Sequence, residues 1–148
     1  MTNVHKSHDH AVELVLKHLP DAISADNVFG YHKPYDIQWQ GINLRVKIAR
    51  PSKKISQNKK RYYYTLEEKK RRFINFYILF ILTAGDKIKG IFVLPKVLAP
   101  KRYVTITDTN NTIRYERFRT DLIGLAKKIV EVNSLLPKLA KMKKEYGK

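Results

Sequence analysis

Apolar positions recur at helical spacing between residues 8 and 19, then switch to strict alternation. In "HDHAVELVLKHL" Ala11, Leu14, Val15 and Leu19 share one face, and Val12 and Leu16 widen the stripe. Pro20 stops that helix, since it has no N–H to donate and crowds the preceding turn. In "YDIQWQ" (35–40) Tyr35, Ile37 and Trp39 alternate with Asp36, Gln38 and Gln40, the period of two that marks a strand. Gly41 with Asn43 is expected to make a tight connection to a second strand, "INLRVKIAR". There Ile42, Leu44, Val46 and Ile48 point one way and Asn43, Arg45, Lys47 and Ala49 the other. "FINFYILFIL" (73–82) is almost continuously apolar, which implies a strand buried on both faces. "IKGIFVLP" (88–95) and "KRYVTITD" (101–108) continue the strand pattern, with Asp108, Asn110 and Asn111 as turn residues. A last helix is expected over "RTDLIGLAKKIVEVNSLL", with Thr120 as its N-cap, Asp121 in its first turn, and Leu122, Leu125, Ile129 and Val132 on its apolar face. The order of elements predicts an α/β fold with a mixed central β-sheet flanked by an N-terminal and a C-terminal helix.

Between these elements lies a different kind of segment. Residues 50–72, "RPSKKISQNKKRYYYTLEEKKRR", are densely cationic, with a short strand followed by a helical turn expected in "RYYYTLEEKKRRF". From Arg45 to Arg72 there are twelve Lys or Arg residues against two acids, Glu67 and Glu68. The whole chain of 148 residues carries 30 Lys and Arg against 13 Asp and Glu, a formal charge of +17. Such an excess works against compaction through self-repulsion, and a polyanionic partner explains it, nucleic acid before an anionic membrane. Arg45, Arg50, Lys53, Lys54, Lys59, Lys60, Arg61, Lys69 and Arg72 are the residues expected to track phosphates, and Tyr62 to stack on bases or bond a phosphate beside them. Period-two alternation sets Tyr63 opposite Tyr62 and Tyr64, so at least one of the three is expected in the core.

The length suits one domain over 1–148, with 1–7 as a flexible N-terminus and 138–148 as a basic tail. Cysteine is absent, which excludes disulfides and thiolate metal sites. His5, His8 and His10 are read as incidental histidines of the flexible terminus, and Trp39 as a core residue. No glycine pattern cradles a phosphate in the manner of a P-loop. The polar start "MTNVHKSHDH" is unlike a secretion signal, and the longest apolar run is too short to span a bilayer. A soluble, cytoplasmic protein without membrane association is expected.

The hairpin "YDIQWQGINLRVK" carries the most specific chemistry. Asp36, the glycine turn and Lys47 two residues beyond position 45 resemble the PD-(D/E)XK nuclease superfamily. The likeness extends in element order over residues 8–107 and is similar to compact homing endonucleases and archaeal junction resolvases. It implies a restriction-endonuclease-like fold, double-stranded DNA as substrate, Mg²⁺ as cofactor, and a homo-oligomer. Phosphodiester hydrolysis uses a divalent metal to neutralise phosphate oxygens and acidify a water, and Mg²⁺ takes hard oxygen ligands. By the resemblance Asp36 is the first acid and a metal ligand, Lys47 is the motif lysine, and Glu13 on the first helix is the second candidate ligand. The second-acid slot departs from the pattern because it holds Arg45. A guanidinium there costs a metal site about 1–4 kcal/mol in Coulomb energy and also removes a ligand. Glu13, Glu67 and Glu68 are the possible replacement acids, and Gln38 a neutral oxygen. A DNA-binding protein with an impaired or lost catalytic site is therefore the leading expectation. A Mg²⁺-dependent endonuclease with a displaced carboxylate is the alternative, and a basic RNA-binding subunit of a ribonucleoprotein the third.

Overall fold

The computed structural model describes residues 4–26, 33–50, 61–83, 85–107 and 115–141. Lys53, Lys54, Lys59 and Lys60 lie outside them, as does the side chain of Arg61. The first helix, α1 (Val4–His18), begins inside the segment expected to be a flexible terminus. The apolar stripe nonetheless runs as the spacing predicts, with Ala11, Val12, Val15 and Leu19 buried.

A six-stranded sheet forms the centre, in the order β1 (Ile23–Ser24), β2 (Ile37–Trp39), β3 (Ile42–Ala49), β5 (Phe76–Leu82), β6 (Ile88–Pro95) and β8 (Arg119–Thr120). All pairs are antiparallel except β3 with β5, so the sheet is mixed, as expected. Every residue of β5 is buried, which its unbroken apolar run requires of a central strand. The turn between β2 and β3 is made by Gln40 and Gly41, both at positive φ (51° and 78°), rather than by Gly41 and Asn43. Two successive positive-φ residues match the right-handed twist of the flanking strands. Asn43 instead ties β3 to the next segment, donating from Nδ2 to the Phe73 carbonyl at 2.8 Å.

The remaining two strands leave the sheet. β4 (Arg61–Thr65) and β7 (Tyr103–Thr107) pair antiparallel as a separate two-stranded ribbon. β4 is followed by a 3-10 turn over Glu68–Phe73, the strand and turn expected there. Tyr62, expected at the surface, is buried with Tyr64, and the exposed member of the three is Tyr63. The reason is alternation: Tyr62 and Tyr64 share one face of β4, and that face meets the core. Tyr64 donates from its hydroxyl to the Phe80 carbonyl at 3.0 Å.

The C-terminal helix is shorter than its pattern suggests. α2 spans Leu125–Ser134, and Thr120, expected as its cap, belongs to β8. The N-cap is Gly124 and no side chain caps it; Asp121 Oδ1 instead accepts from the Gly124 N–H at 2.7 Å in the turn that leads into the helix. Leu125, Ile129 and Val132 are buried as expected. α3 (Leu136–Lys141) carries the first part of the basic tail, and residues 142–148 lie outside the described residues. α1 packs on β3, α2 on β6, and the two helices touch each other. No helix among the described residues is long and apolar enough to cross a membrane.

Candidate nucleic-acid site at the β2–β3 hairpin

The register of the hairpin decides which side chains meet. Ile37 pairs with Leu44 and Gln38 with Asn43, so continuing the ladder sets Asp36 across from Arg45. Asp36 has no solvent exposure and is the one buried charged residue among those described. Its Oδ2 accepts the backbone N–H of Val46 at 2.7 Å, continuing the ladder with a side chain where β2 has ended. Three side chains also surround the carboxylate. His8 Nε2 is 3.5 Å from Oδ2, Arg45 Nη1 is 3.6 Å from Oδ1, and Lys33 Nζ is 3.7 Å from Oδ1. Burial pushes the Asp36 pKa up, but the His8 hydrogen bond and the Arg45 charge together hold it below the ordinary aspartate value. The same bond raises the His8 pKa against the opposing effect of burial. His8 Nε2 also lies 3.0 Å from the Val46 carbonyl. Both neighbours of Nε2 are acceptors, so that nitrogen carries the proton.

On the far side of Arg45 stands Glu67, just before the 3-10 turn. Arg45 Nη2 donates to Glu67 Oε1 at 2.5 Å, Lys47 Nζ reaches the same oxygen at 2.9 Å, and Lys70 Nζ reaches Oε2 at 3.3 Å. Burial would raise the Glu67 pKa. The Lys47 and Arg45 hydrogen bonds outweigh it and bring the carboxyl down to about 2. Arg45 is thus a bridge between two carboxylates, with its side chain only 11% exposed. On the next strand Tyr77 pairs in register with Arg45, and burial raises its phenol pKa.

Of the expected site residues, Asp36, Arg45 and Lys47 come together. Glu13 does not. It is five residues from His8, so it points about 140° around the helix from the residue that faces Asp36. Glu13 is exposed and lines a surface depression with Asp9, Asp26 and Lys33. Glu67, one of the three replacement acids considered, is in the site. Glu68 pairs with Arg102 at 3.4 Å instead, and Gln38 donates to Asn43. Arg50 bonds Asp86 at 2.6 Å and Ser7 at 2.6 Å, while Lys69 and Arg72 are exposed. Arg71 gathers the carbonyls of Lys96, Ala99 and Pro100, which makes it a structural clamp rather than a phosphate contact.

His8 and Lys33 were absent from the expected site. The position of His8 is legible in the helix period, because residues 8, 11 and 15 share a face and Ala11 and Val15 are core. Lys33 follows a segment outside the described residues, and no pattern announces it.

The residues present do not fit a Mg²⁺ centre. Among the described residues no three histidine, aspartate or glutamate side chains lie together in a way that could hold a metal ion. The two carboxylates that reach the hairpin are separated by a guanidinium, and Lys33, Lys47 and Lys70 add further positive charge beside them. Magnesium needs open, anionic oxygen ligands, and both carboxylates here are already engaged by fixed cations.

No protein-family model matches the sequence, and no curated protein matches it. The fold has a counterpart among solved structures. The bacterial homing endonuclease I-Ssp6803I superposes with a TM-score of 0.54 at 15% identity, over 98% of this chain and 99% of that one. The chain has a nuclease-like fold.

Proposed function

We propose that this chain holds DNA on a PD-(D/E)XK-type scaffold whose catalytic centre is closed by Arg45. The observation that carries the reading is the position of its guanidinium, between Asp36 and Glu67, where the motif would place a carboxylate. The nuclease-like fold and the +17 charge support a polyanionic partner, with duplex DNA first. Asp36 acts here as a structural anion: it fixes His8, Arg45 and Lys33 and thereby the end of the hairpin. Lys47 and Lys70 face the partner across Glu67.

The test is plasmid cleavage with Mg²⁺ and with Mn²⁺, beside duplex binding measured over a range of salt. No cleavage is expected, with affinity that falls steeply as salt rises. With at least four phosphate contacts the logarithmic slope is about −3.6 or steeper. Metal-dependent cleavage that disappears in both Lys47→Ala and Glu67→Gln would establish the other reading, an endonuclease with Glu67 as a displaced carboxylate. That reading has one observation in its favour, the 2.9 Å contact of Glu67 with the motif lysine.

A further inference from the structure

The outward face of the β4–β7 ribbon has no part in the hairpin site, yet it carries an unusual surface. Tyr63 and Tyr103 are 55% and 51% exposed. Tyr63 pairs with Thr105 and Thr65 with Tyr103, so the two tyrosines are diagonal neighbours on the outer face. Their rings stack on each other, with centroids 5.3 Å apart and planes inclined by 28°. Thr65 and Thr105 complete the row, while the opposite face, Tyr62, Tyr64, Val104 and Ile106, is buried. Every described outward side chain of this row therefore ends in, or branches to, a hydroxyl that both donates and accepts.

The flanks of the ribbon are cationic. A depression of about 440 Å³ runs between the ribbon and the 3-10 turn, lined in part by Thr65, Glu67, Lys69, Lys70, Arg102 and Tyr103. Its acids are already paired, Glu67 with Lys70 and Glu68 with Arg102. Lys69, Lys101 and Arg102 are exposed, and Arg72 lies over the ring of exposed Phe73 at 4.7 Å. Hydroxyl-bearing aromatics in the middle and cations at the edges suit a partner with polar edges inside and phosphates outside.

We infer that the β4–β7 ribbon enters the major groove of duplex DNA, setting Tyr63 and Tyr103 against base edges while Lys69, Lys101 and Arg102 meet the flanking phosphates. This rests on the DNA-holding reading above. A major groove about 12 Å wide admits a two-stranded ribbon. Duplex is favoured over single strands because each tyrosine already covers one face of the other. A mutually stacked pair offers bases less open ring face than two separate tyrosines would.

The experiment uses the full chain and a pool of randomised duplexes carrying 5-iodo-deoxyuridine, whose iodine sits where the thymine methyl projects into the major groove. After irradiation, adducts mapped by mass spectrometry are expected on Tyr63 or Tyr103, and adducts confined to other residues overturn the inference. The unaltered protein suffices for this arm, so it does not depend on a variant folding. In a second arm the tightest duplex recovered is titrated against the Tyr63→Leu/Tyr103→Leu double variant. Affinity is expected to fall at least about tenfold with the salt slope unchanged, as for contacts to base edges rather than phosphates. Wild-type affinity in that variant overturns the ribbon while leaving DNA binding intact. Tighter binding to single strands than to duplex also overturns it, in favour of base stacking. No duplex binding by the unaltered protein overturns both proposals, DNA binding first.

Discussion

Replacing Arg45 by Met removes the guanidinium but keeps most of the stem, so it tests charge with little loss of packing. Asp36 then keeps the Lys33 ammonium at 3.7 Å, the His8 Nε2–H at 3.5 Å and the Val46 N–H. Its Oδ1 has no hydrogen-bond partner even with Arg45 in place. Removing one member of a buried ion pair costs about 3–5 kcal/mol, because the other charge is left buried. The Lys33 charge and the two N–H donors that remain soften this to about 2–3 kcal/mol. The assay is a urea denaturation cycle at neutral pH with wild type, Arg45→Met, Asp36→Asn and the double variant. Asp36→Asn alone is destabilising as well, since it leaves the Arg45 and Lys33 charges facing a neutral amide. The double variant is expected to be less destabilised than the two single effects added, with a coupling of at least about 1.5 kcal/mol. Additivity within about 0.5 kcal/mol would refute the reasoning, because Arg45 would then not be the counter-ion of Asp36.

Arg45→Glu is expected to place a third carboxylate beside Asp36 and Glu67 and to create Mn²⁺ binding detectable by calorimetry; a folded variant that takes up no metal would mean that Lys33, Lys47 and Lys70 alone exclude the ion. Glu67→Gln frees Arg45, Lys47 and Lys70 from an internal anion, so duplex affinity should rise and the salt slope steepen by about one to three phosphate contacts; an unchanged slope would show that these cations never face the DNA. Glu67 also predicts an acid response. Its pKa falls from 4.5 to about 2, so its contribution to stability is complete above about pH 4.5 and is lost as the pH drops toward 2. The side chain is 35% exposed, so solvent screening reduces that contribution to about 1 kcal/mol. Denaturation of Glu67→Gln should accordingly be flatter than wild type between pH 4.5 and 2.

Strand period and burial could be read along most of the chain, because "FYILFIL" admits no solvent-facing position and "INLRVKIA" admits only one assignment of faces. The alternation that put Arg45 and Lys47 together is the alternation observed. Pairing across long sequence separations was less legible. Nothing in "RYYYT" or "YVTIT" says that these strands leave the sheet and pair with each other, because their partners are set by contacts about forty residues apart. The Tyr62 assignment failed for the same reason, since alternation separates two faces but does not say which one meets the core. The polar start of the chain reads as a flexible terminus, yet His8 stands within α1. A helix can begin with polar residues when one of them answers a buried charge, and Asp36 is that charge. Glu67 was visible only as a spare acid in a basic run. Its role needs the ribbon to turn back toward β3, which no local signal encodes.

The charges around the hairpin give the proposed closing of this site a physical direction. Asp36 and Glu67 contribute two negative charges; Arg45, Lys33, Lys47 and Lys70 contribute four positive ones within 3.7 Å of them. With His8 uncharged the cluster is already cationic, and the raised His8 pKa moves it further that way as the pH falls. A nuclease centre of the superfamily's kind needs the reverse balance, carboxylates in excess that a divalent ion then neutralises. Substituting one acid by arginine changes the local charge by two, which is the charge of the ion such a centre would bind. The guanidinium offsets the buried Asp36 and the Glu67 carboxylate, and the cluster as a whole keeps a net positive charge. What it cannot supply is an open coordination position at which a water is acidified. Attraction for a phosphodiester without a means of activating water is the combination that the proposed DNA-holding function requires.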